Sequence, residues 1–173
     1  YRGNVLSKKL SMYLNLDEHG AFGISPGSDI VQILVYLLGE RQNINALDLG
    51  SGNGFSTFII SNRVEHVTGV EMNSELYEES MNCLKDLVDC RKVDKNKIRF
   101  IQADFFDIDF SPFSVIYIYW PFDDKEKSFW EKETSRRLEN KIMIEAAPGT
   151  IIVIFIPGTE EKELFPQLKS IPP

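Results

Sequence analysis

An apolar run that leads directly into a glycine-rich loop constrains this chain most. The run covers Ala46 to Leu49, and glycines follow at alternate positions: Gly50, Gly52 and Gly54. Because glycine lacks a Cβ, its backbone can adopt positive φ and let a bulky ligand lie directly on the main chain. The helical pattern of Phe55 to Ile60 places this loop at a helix N-terminus, where free N–H groups point outward. The segment therefore predicts a strand, a ligand-binding loop and a helix, with a nucleotide-like cofactor as the ligand.

Five apolar stretches of strand-like composition recur along the chain, and helical patterns separate most of them. They cover residues 44–49, 66–70, 98–102, 115–119 and 150–156. Alternation of this kind predicts βαβ units and a mostly parallel sheet with helices on both faces. We therefore expect an α/β fold of the doubly wound, Rossmann-like class.

Three longer helical patterns have recognisable ends. The first runs from a cap at Ser28 or Asp29 to about Gly39, the second starts from a cap at Asn73 or Ser74, and the third runs from a cap at Asp123 or Asp124 to Pro148–Gly149. The second places Tyr77, Met81, Leu84 and Val88 on one face. We expect one globular domain over residues 28–173, preceded by a short helix and a loop in residues 1–27. Glycines in the segment 22–28 suggest that this loop closes over the cofactor as a lid.

Composition limits the partners of the chain. With 173 residues and a net charge of −7, it is long enough for a full core, and nucleic acid is an unlikely ligand. No apolar run approaches the ~20 residues of a membrane span, so we expect a soluble protein. Cys83 and Cys90 have neither a zinc nor a redox spacing, so no metal site is predicted. Reduced, buried thiols and a cytoplasmic location are expected. Because the chain opens on Tyr1, we also expect it to continue upstream.

Two familiar phosphate-binding loops do not fit the glycine pattern. A dinucleotide-binding Gly-x-Gly-x-x-Gly motif counted from Gly50 places Phe55 at the last glycine, and counted from Gly52 it places Thr57 there. A P-loop requires Gly-Lys-Ser/Thr, which does not follow.

The same residues resemble the class I S-adenosylmethionine-dependent methyltransferases. The likeness covers about residues 27–157 and is carried by three motifs: Asp48-Leu49-Gly50-Ser51-Gly52-Asn53-Gly54, Val67-Thr68-Gly69-Val70-Glu71 and Ile101-Gln102-Ala103-Asp104-Phe105. The resemblance implies S-adenosylmethionine as cofactor. It implies that the first motif holds the methionine portion, with Asp48 anchoring its ammonium group. Glu71, followed by Met72, would bind the ribose, and Asp104 with Phe105 would bind the adenine.

Elementary chemistry supports the same cofactor. Glu71 and Asp104 follow two strands of a parallel sheet, so both carboxylates would project into one crevice at its carboxyl edge. Acidic lining suits a ligand that carries a sulfonium and an ammonium, whereas a pyrophosphate would be repelled. Each acid alone has a structural alternative, since Asp48 could bond the turn, Glu71 could cap a helix and Asp104 could begin a loop. Phe105 could equally belong to the core.

The resemblance implies that the acceptor lies beyond the fourth strand, where aromatic residues are concentrated. Tyr119, Trp120, Pro121, Phe122 and Asp123 are the candidate catalytic residues. Amine methyltransferases often carry Asn/Asp-Pro-Pro-Tyr/Phe here, and only Pro121-Phe122 matches. Aromatic faces could hold an alkyl-ammonium or stack a planar substrate. The segment is similar to seven-strand lysine methyltransferases, including the Dot1-like group, which implies an aromatic wall around a lysine side chain. Tyr119 and Asp123 are the nearest candidates to accept a proton, and the aromatic residues could instead pack under the following helix.

Three functions remain open at this point. The leading one is a methyltransferase that acts on a protein side chain, with lysine favoured, or on a small molecule. The alternatives are a nucleic-acid N-methyltransferase and a non-catalytic protein that binds S-adenosylmethionine. The resembled fold usually closes with an antiparallel hairpin, for which residues 158–173 leave little room; we expect that the chain is cut there, that the final strands are missing, or that another subunit completes the sheet edge. The sequence does not indicate the oligomeric state.

Overall fold

The computed structural model describes residues 34, 36–119 and 129–155, with the side chains of 129–132 and 155 excepted. Its strands are β1 Asn45–Leu49, β2 His66–Glu71, β3 Ile98–Gln102, β4 Val115–Tyr119 and β5 Ile151–Phe155. Its helices are α1 Phe55–Ile60, α2 Ser74–Asp89 and α3 Phe129–Glu145. Two 3₁₀ turns cover Lys95–Lys97 and Phe105–Asp107, and a further helix ends at Leu38.

The five strands form one parallel sheet in the order β3-β2-β1-β4-β5. The chain therefore moves outward from β1 to β3 and then returns to the other side of β1 for β4. This reversal is the topological switch point of a doubly wound fold, beside which ligands bind at the carboxyl ends of the strands. The prediction of a mostly parallel, Rossmann-like sheet is confirmed.

Two apolar layers cover the two faces of the sheet. On one face, residues such as Ala46, Val67 and Tyr117 pack with Leu34, Leu38 and the buried side of α2. On the other face, Leu47, Ile116 and Ile118 pack with Leu138 and Ile142 of α3. Strands that are covered on both sides are apolar at successive positions, which explains the continuous runs in the sequence.

Helix α2 begins where the sequence predicts. The Asn73 side chain accepts hydrogen bonds from the Glu75 and Leu76 amides at 2.9 and 3.2 Å, so it is the N-cap. Leu84 is buried, but Met81, which was expected on the same apolar face, is 41% exposed. Only a narrow strip of this helix therefore faces the sheet.

The third helix ends earlier than expected. α3 stops at Glu145 instead of continuing to Pro148–Gly149, and its predicted caps Asp123 and Asp124 lie outside the described residues. A residue before proline is biased away from the helical region, which disfavours helix at Ala147. Gly149 then turns the chain with φ of 89° into β5.

The cysteine prediction is wrong in part. Cys83 and Cys90 are both free thiols, but Cys83 is half-buried and Cys90 is exposed, because Cys90 lies one residue past the end of α2. Within the residues that the structure describes, no helix is both long and apolar enough to cross a bilayer. The predicted segment 1–27 and residues 156–173, where the truncation of the closing hairpin is expected, lie outside that part of the chain.

Candidate functional site

The glycine loop lies at the carboxyl end of β1 and has the backbone geometry that the sequence predicts. Gly50, Gly52 and Gly54 all have positive φ, at 70°, 54° and 88°. A Cβ added to Gly52 would meet nothing within 4 Å, so the loop faces open space there. A Cβ on Gly54 would instead lie 2.7 Å from the Phe100 ring. Gly52 therefore leaves room for a ligand, whereas Gly54 lets the loop pack closely on the sheet.

Backbone hydrogen bonds hold this loop against the end of β2. The amides of Gly50 and Ser51 both donate to the Val70 carbonyl, at 2.9 and 3.0 Å. The Gly54 amide donates to the Ser51 carbonyl at 2.9 Å, which closes a turn before α1. The loop is therefore a fixed surface rather than a free connection.

Glu71, at the end of β2, joins the loop to the next helix. One carboxylate oxygen accepts a hydrogen bond from the Gly52 amide at 2.9 Å, and the other accepts one from the Asn73 amide at 2.8 Å. A carboxylate has about four acceptor positions, so two remain for further donors such as ribose hydroxyls. The structural and ligand-binding interpretations of Glu71 are therefore compatible.

Asp48 lies deeper than the sequence suggests. It is 1% exposed, and its carboxyl accepts a 2.6 Å hydrogen bond from the Thr57 hydroxyl of α1. Burial raises the pKa of Asp48 to about 7; the Thr57 hydrogen bond opposes this change, and the negative charge of Glu71 adds to it. A buried acid that titrates near neutrality lies directly under the predicted cofactor loop.

Thr57 is a site residue that the sequence analysis missed. Its hydroxyl is the hydrogen-bond partner of Asp48 and is buried between α1 and the sheet. The only signal in the sequence was a hydroxyl residue in the first turn of a short apolar helix, which is common in proteins.

Asp104 follows β3 at the same edge of the sheet. Its carboxylate accepts a hydrogen bond from the Phe106 amide at 2.9 Å and so caps the 3₁₀ turn Phe105–Asp107. The Ala103 amide donates to the Glu71 carbonyl at 3.1 Å, which places this turn next to the end of β2. The Phe105 ring packs on Phe106 with 4.7 Å between centroids and on the core beneath α3.

The remaining predicted residues lie on the rim of this edge. Asn53 is exposed, and Met72 is 69% exposed. Tyr119 is half-buried at the end of β4, one residue past the partner of Leu49 in β1, so it lies beside the start of the glycine loop. Trp120, Pro121, Phe122 and Asp123 lie outside the described residues, and their acceptor role stays a prediction.

Comparison with known families decides the class of this protein. A sequence model of protein-L-isoaspartate(D-aspartate) O-methyltransferase (PCMT) matches residues 23–119, which is more than half of the chain. The chain belongs to the PCMT family. The match ends at Tyr119 and spans all three motifs of the predicted cofactor site. No curated protein matches the chain in sequence.

Solved structures share the fold of this PCMT-family chain. An RNA methyltransferase from Salinibacter ruber, in complex with S-adenosyl-L-homocysteine, aligns with a TM-score of 0.58 and 19% identity, over 76% of each chain. An amino pentose methyltransferase from Micromonospora echinaspora, with bound S-adenosylmethionine, has a TM-score of 0.59 and 16% identity, over 85% of this chain and 61% of that one. A glycopeptide N-methyltransferase complexed with S-adenosylmethionine has a TM-score of 0.59 and 18% identity, over 81% of this chain and 58% of that one. The chain therefore spans about 60% of the length of the last two.

The family and the fold confirm two predictions. The protein is a class I methyltransferase, and S-adenosylmethionine is the cofactor of its family. The finer assignment to a Dot1-like lysine type stays a prediction.

The described residues fit such a cofactor. The Ser51 hydroxyl is buried without a hydrogen-bond partner among the described residues, Gly52 faces open space, and Glu71 retains acceptor positions. S-adenosylmethionine carries hydroxyl and amino donors that such acceptors can bind. Glu71 contacts the Gly52 amide of the loop, Asp48 is buried beneath it, and Asp104 lies at the next strand end.

Proposed function

We propose that this protein transfers the methyl group of S-adenosylmethionine to a protein side chain, and that a lysine amine is the acceptor. When bound, the cofactor would supply an electrophilic methyl group to the lone pair of the deprotonated acceptor amine, with the S–CH₃ bond breaking and S-adenosylhomocysteine leaving. In this proposal Gly52 and Glu71 hold the methionine and ribose portions, and Asp104 holds the adenine. The protein contributes alignment and exclusion of water, and Tyr119 and Asp123 are the proposed proton acceptors.

The charge of the loops at the carboxyl edge carries this proposal. The described segments 50–56, 71–75 and 103–108 contain Glu71, Glu75, Asp104 and Asp107 but no lysine or arginine. Such a lining attracts an ammonium side chain and repels a carboxylate. Because the whole chain has a net charge of −7, it should also attract a basic protein segment around that ammonium side chain. The predicted aromatic wall at Tyr119 to Phe122 would surround an alkyl-ammonium by cation–π attraction.

Carboxyl methylation is a second candidate, and the family match favours it. The PCMT family is described as acting on protein-L-isoaspartate, so its acceptor is a carboxylate. One cation approaches the edge: the Arg137 guanidinium of α3 stacks over the Phe106 ring at 4.0 Å from its centroid. That guanidinium is a possible partner for an acceptor carboxylate.

Methyl transfer from radiolabelled cofactor to a mixed pool separates these candidates. The pool contains a protein extract, an isoaspartyl peptide and RNA, and the products are treated with mild alkali. We expect alkali-stable label that elutes as methyl-lysine after hydrolysis. Alkali-labile label released as methanol would assign the carboxyl reaction, and label in RNA would assign the nucleic-acid alternative. No transfer despite calorimetric binding of the cofactor would indicate a non-catalytic protein.

The pH dependence of transfer gives an independent readout. A lysine amine must lose its proton before it attacks, and acidic lining raises its pKa, so the rate should rise from neutral to alkaline pH. A carboxylate is already ionised in this range, so carboxyl methylation should show no such rise.

Two substitutions test the proposed cofactor contacts. Replacing Glu71 with Gln or Asp104 with Asn removes a charged acceptor and should weaken binding of S-adenosylhomocysteine by roughly 1–3 kcal/mol each. Calorimetry measures the affinity, and Glu78→Gln on the exposed face of α2 is the matched control. Wild-type affinity in both variants would contradict these roles.

A further inference from the structure

A cavity of about 480 Å³ opens at the edge of the sheet opposite the glycine loop. Its lining comes from the end of α1, the end of α2 and the turn before β3, and includes Ser61, Asn62, Arg91, Lys92, Asp94 and Lys97. These segments lead into the amino ends of β2 and β3. Strands of this length separate the two edges by roughly 17–20 Å. The cavity is therefore separate from the cofactor site.

Three cations line this cavity, and none has a carboxylate partner among the residues that the structure describes. The only ion pair among the described residues joins Lys141 to Glu145, both in α3, which does not line the cavity. Lys97 is half-buried, and its ammonium donates to the Val64 carbonyl at 3.3 Å, which fixes the group in place. Asp94 also lines the cavity, but one of its oxygens already accepts a hydrogen bond from the Asn96 amide at 2.9 Å. The cavity therefore carries more positive than negative side chains in a chain of net charge −7.

Arg91 occupies a backbone position where glycine is the usual residue. Its φ is 54°, and the amides of Arg91 and Lys92 donate back to the carbonyls of Val88 and Leu87 at 2.9 and 2.8 Å. This pattern ends α2 in a left-handed residue, a conformation that costs stability for any side chain with a Cβ. A cation at a helix C-terminus also interacts favourably with the helix dipole, but an unstrained neighbouring position such as Lys92 supplies that interaction equally well.

We propose that this cavity binds a compact polyphosphate group. Arg91 and Lys92 supply the mobile charges and Lys97 a fixed one, while the donors of Ser61 and Asn62 are already used at the end of α1. Charge-assisted hydrogen bonds from such groups are the usual means of holding phosphate oxygens. The volume is in the range of small-molecule pockets, which begins at about 300 Å³.

The surroundings favour a compact ligand over an extended nucleic acid. Asp86 and Asp89 are exposed a few residues before Arg91, and the exposed Glu65 follows Val64, whose carbonyl binds Lys97, so a long phosphate backbone would cross negative charge. The described residues that line the cavity include no aromatic side chain, so nucleobases have no stacking surface. Charge alone therefore recognises the ligand.

Calorimetric titration of the full chain with inorganic triphosphate tests this site. We expect binding that weakens with added salt and that falls by about tenfold or more in Arg91→Gly. Glycine suits the left-handed backbone, so this variant should fold at least as stably as the wild type. The matched control is Lys85→Gln, an exposed lysine of α2 outside the cavity, which should change the affinity by less than about twofold. Binding of S-adenosylhomocysteine should be unchanged in both variants.

Three results would overturn the proposal. The first is the absence of binding by the wild type at millimolar triphosphate. The second is equal weakening by Arg91→Gly and Lys85→Gln, which would mean general attraction by surface charge. The third is tighter binding of a single-stranded RNA than of triphosphate, with the same loss in Arg91→Gly, which would identify an extended polyanion surface instead. ATP and pyrophosphate are titrated in parallel, and the affinity of each ligand should increase with the negative charge of its phosphate groups.

Discussion

The buried carboxyl of Asp48 should make the stability of this protein depend on pH. Its pKa is raised from 3.8 to about 7 in the folded chain, chiefly by burial. Between about pH 4 and pH 7 the folded chain therefore holds a proton that the unfolded chain releases, so stability falls as pH rises through this window. The loss is complete above the folded pKa and amounts to at most about 4 kcal/mol.

Asp48→Asn should remove this dependence. The amide oxygen still accepts the Thr57 hydrogen bond, and no charge is buried, so the variant should be more stable than the wild type at about pH 8 and similar to it at about pH 5. Urea unfolding of the cofactor-free protein across this range measures the difference. Asp86→Asn, at an exposed position of α2, should leave the wild-type slope intact. The same slope in Asp48→Asn would show that another group is responsible.

For single residues, the sequence indicated the acids and glycines of the site but not the hydrogen bonds between them. Gly52 and Gly54 were predictable because few other residues suit positive φ in a strand-to-helix loop. The role of the Thr57 hydroxyl was not predictable, because a contact between a strand and the next helix depends on how the two pack. The dual role of Glu71, which holds the Gly52 amide while it keeps acceptor positions, likewise required the folded geometry.

Among the elements, β3 supports the cofactor loop through one aromatic side chain. The Phe100 ring fills the space beneath two glycines: a Cβ would lie 2.7 Å from it at both Gly54 and Gly69. It also meets the Phe58 ring of α1 edge-on, with 5.5 Å between centroids. The ring therefore sets the distance between the glycine loop and β2, and it also sets the position of α1.

Phe100→Leu should loosen this support and weaken cofactor binding. The matched control is Phe110→Leu, which removes a fully buried ring from the opposite face, beneath α3. Both variants should lose roughly 1–3 kcal/mol of stability, but only Phe100→Leu should raise the dissociation constant of S-adenosylhomocysteine. Urea unfolding and calorimetry on the same samples separate the two effects. Equal affinity in the two folded variants would show that the ring acts only in the core.

Element positions were predicted better than element ends. All five strands lie within one residue of their expected bounds, because continuous apolar runs between helices are distinctive. The exposed Met81 and the early end of α3 were not predicted. The exposure of Met81 depends on how much of the helix surface the sheet covers, and the end of α3 depends on the local effect of Pro148. The periodicity of apolar residues reports neither.

The acidic loops and the cavity lined by cations lie at opposite edges of the sheet. Acids concentrate at the carboxyl edge around Glu71 and Asp104, and unpaired cations line the cavity at the amino edge. The alternation of strands and helices predicted the fold class but not the order β3-β2-β1-β4-β5, which depends on pairings between distant segments. That order creates the switch point beside β1 where the glycine loop lies, so the position of the site follows from topology.

Amide hydrogen exchange should distinguish the two edges of the sheet when the cofactor site is filled. With S-adenosylhomocysteine at about 100 times its dissociation constant, binding contributes about 2.7 kcal/mol, and amides that the ligand covers should exchange up to about a hundredfold more slowly. We expect the strongest protection in residues 50–54 and 103–106, at the ends of β1 and β3. Residues 91–97, at the opposite edge, should change only through global stabilisation, since the ligand lies a full strand length away. In Asp104→Asn the protection of residues 103–106 should fall most. Equal protection at both edges, or protection confined to residues 91–97, would place the ligand elsewhere on the sheet.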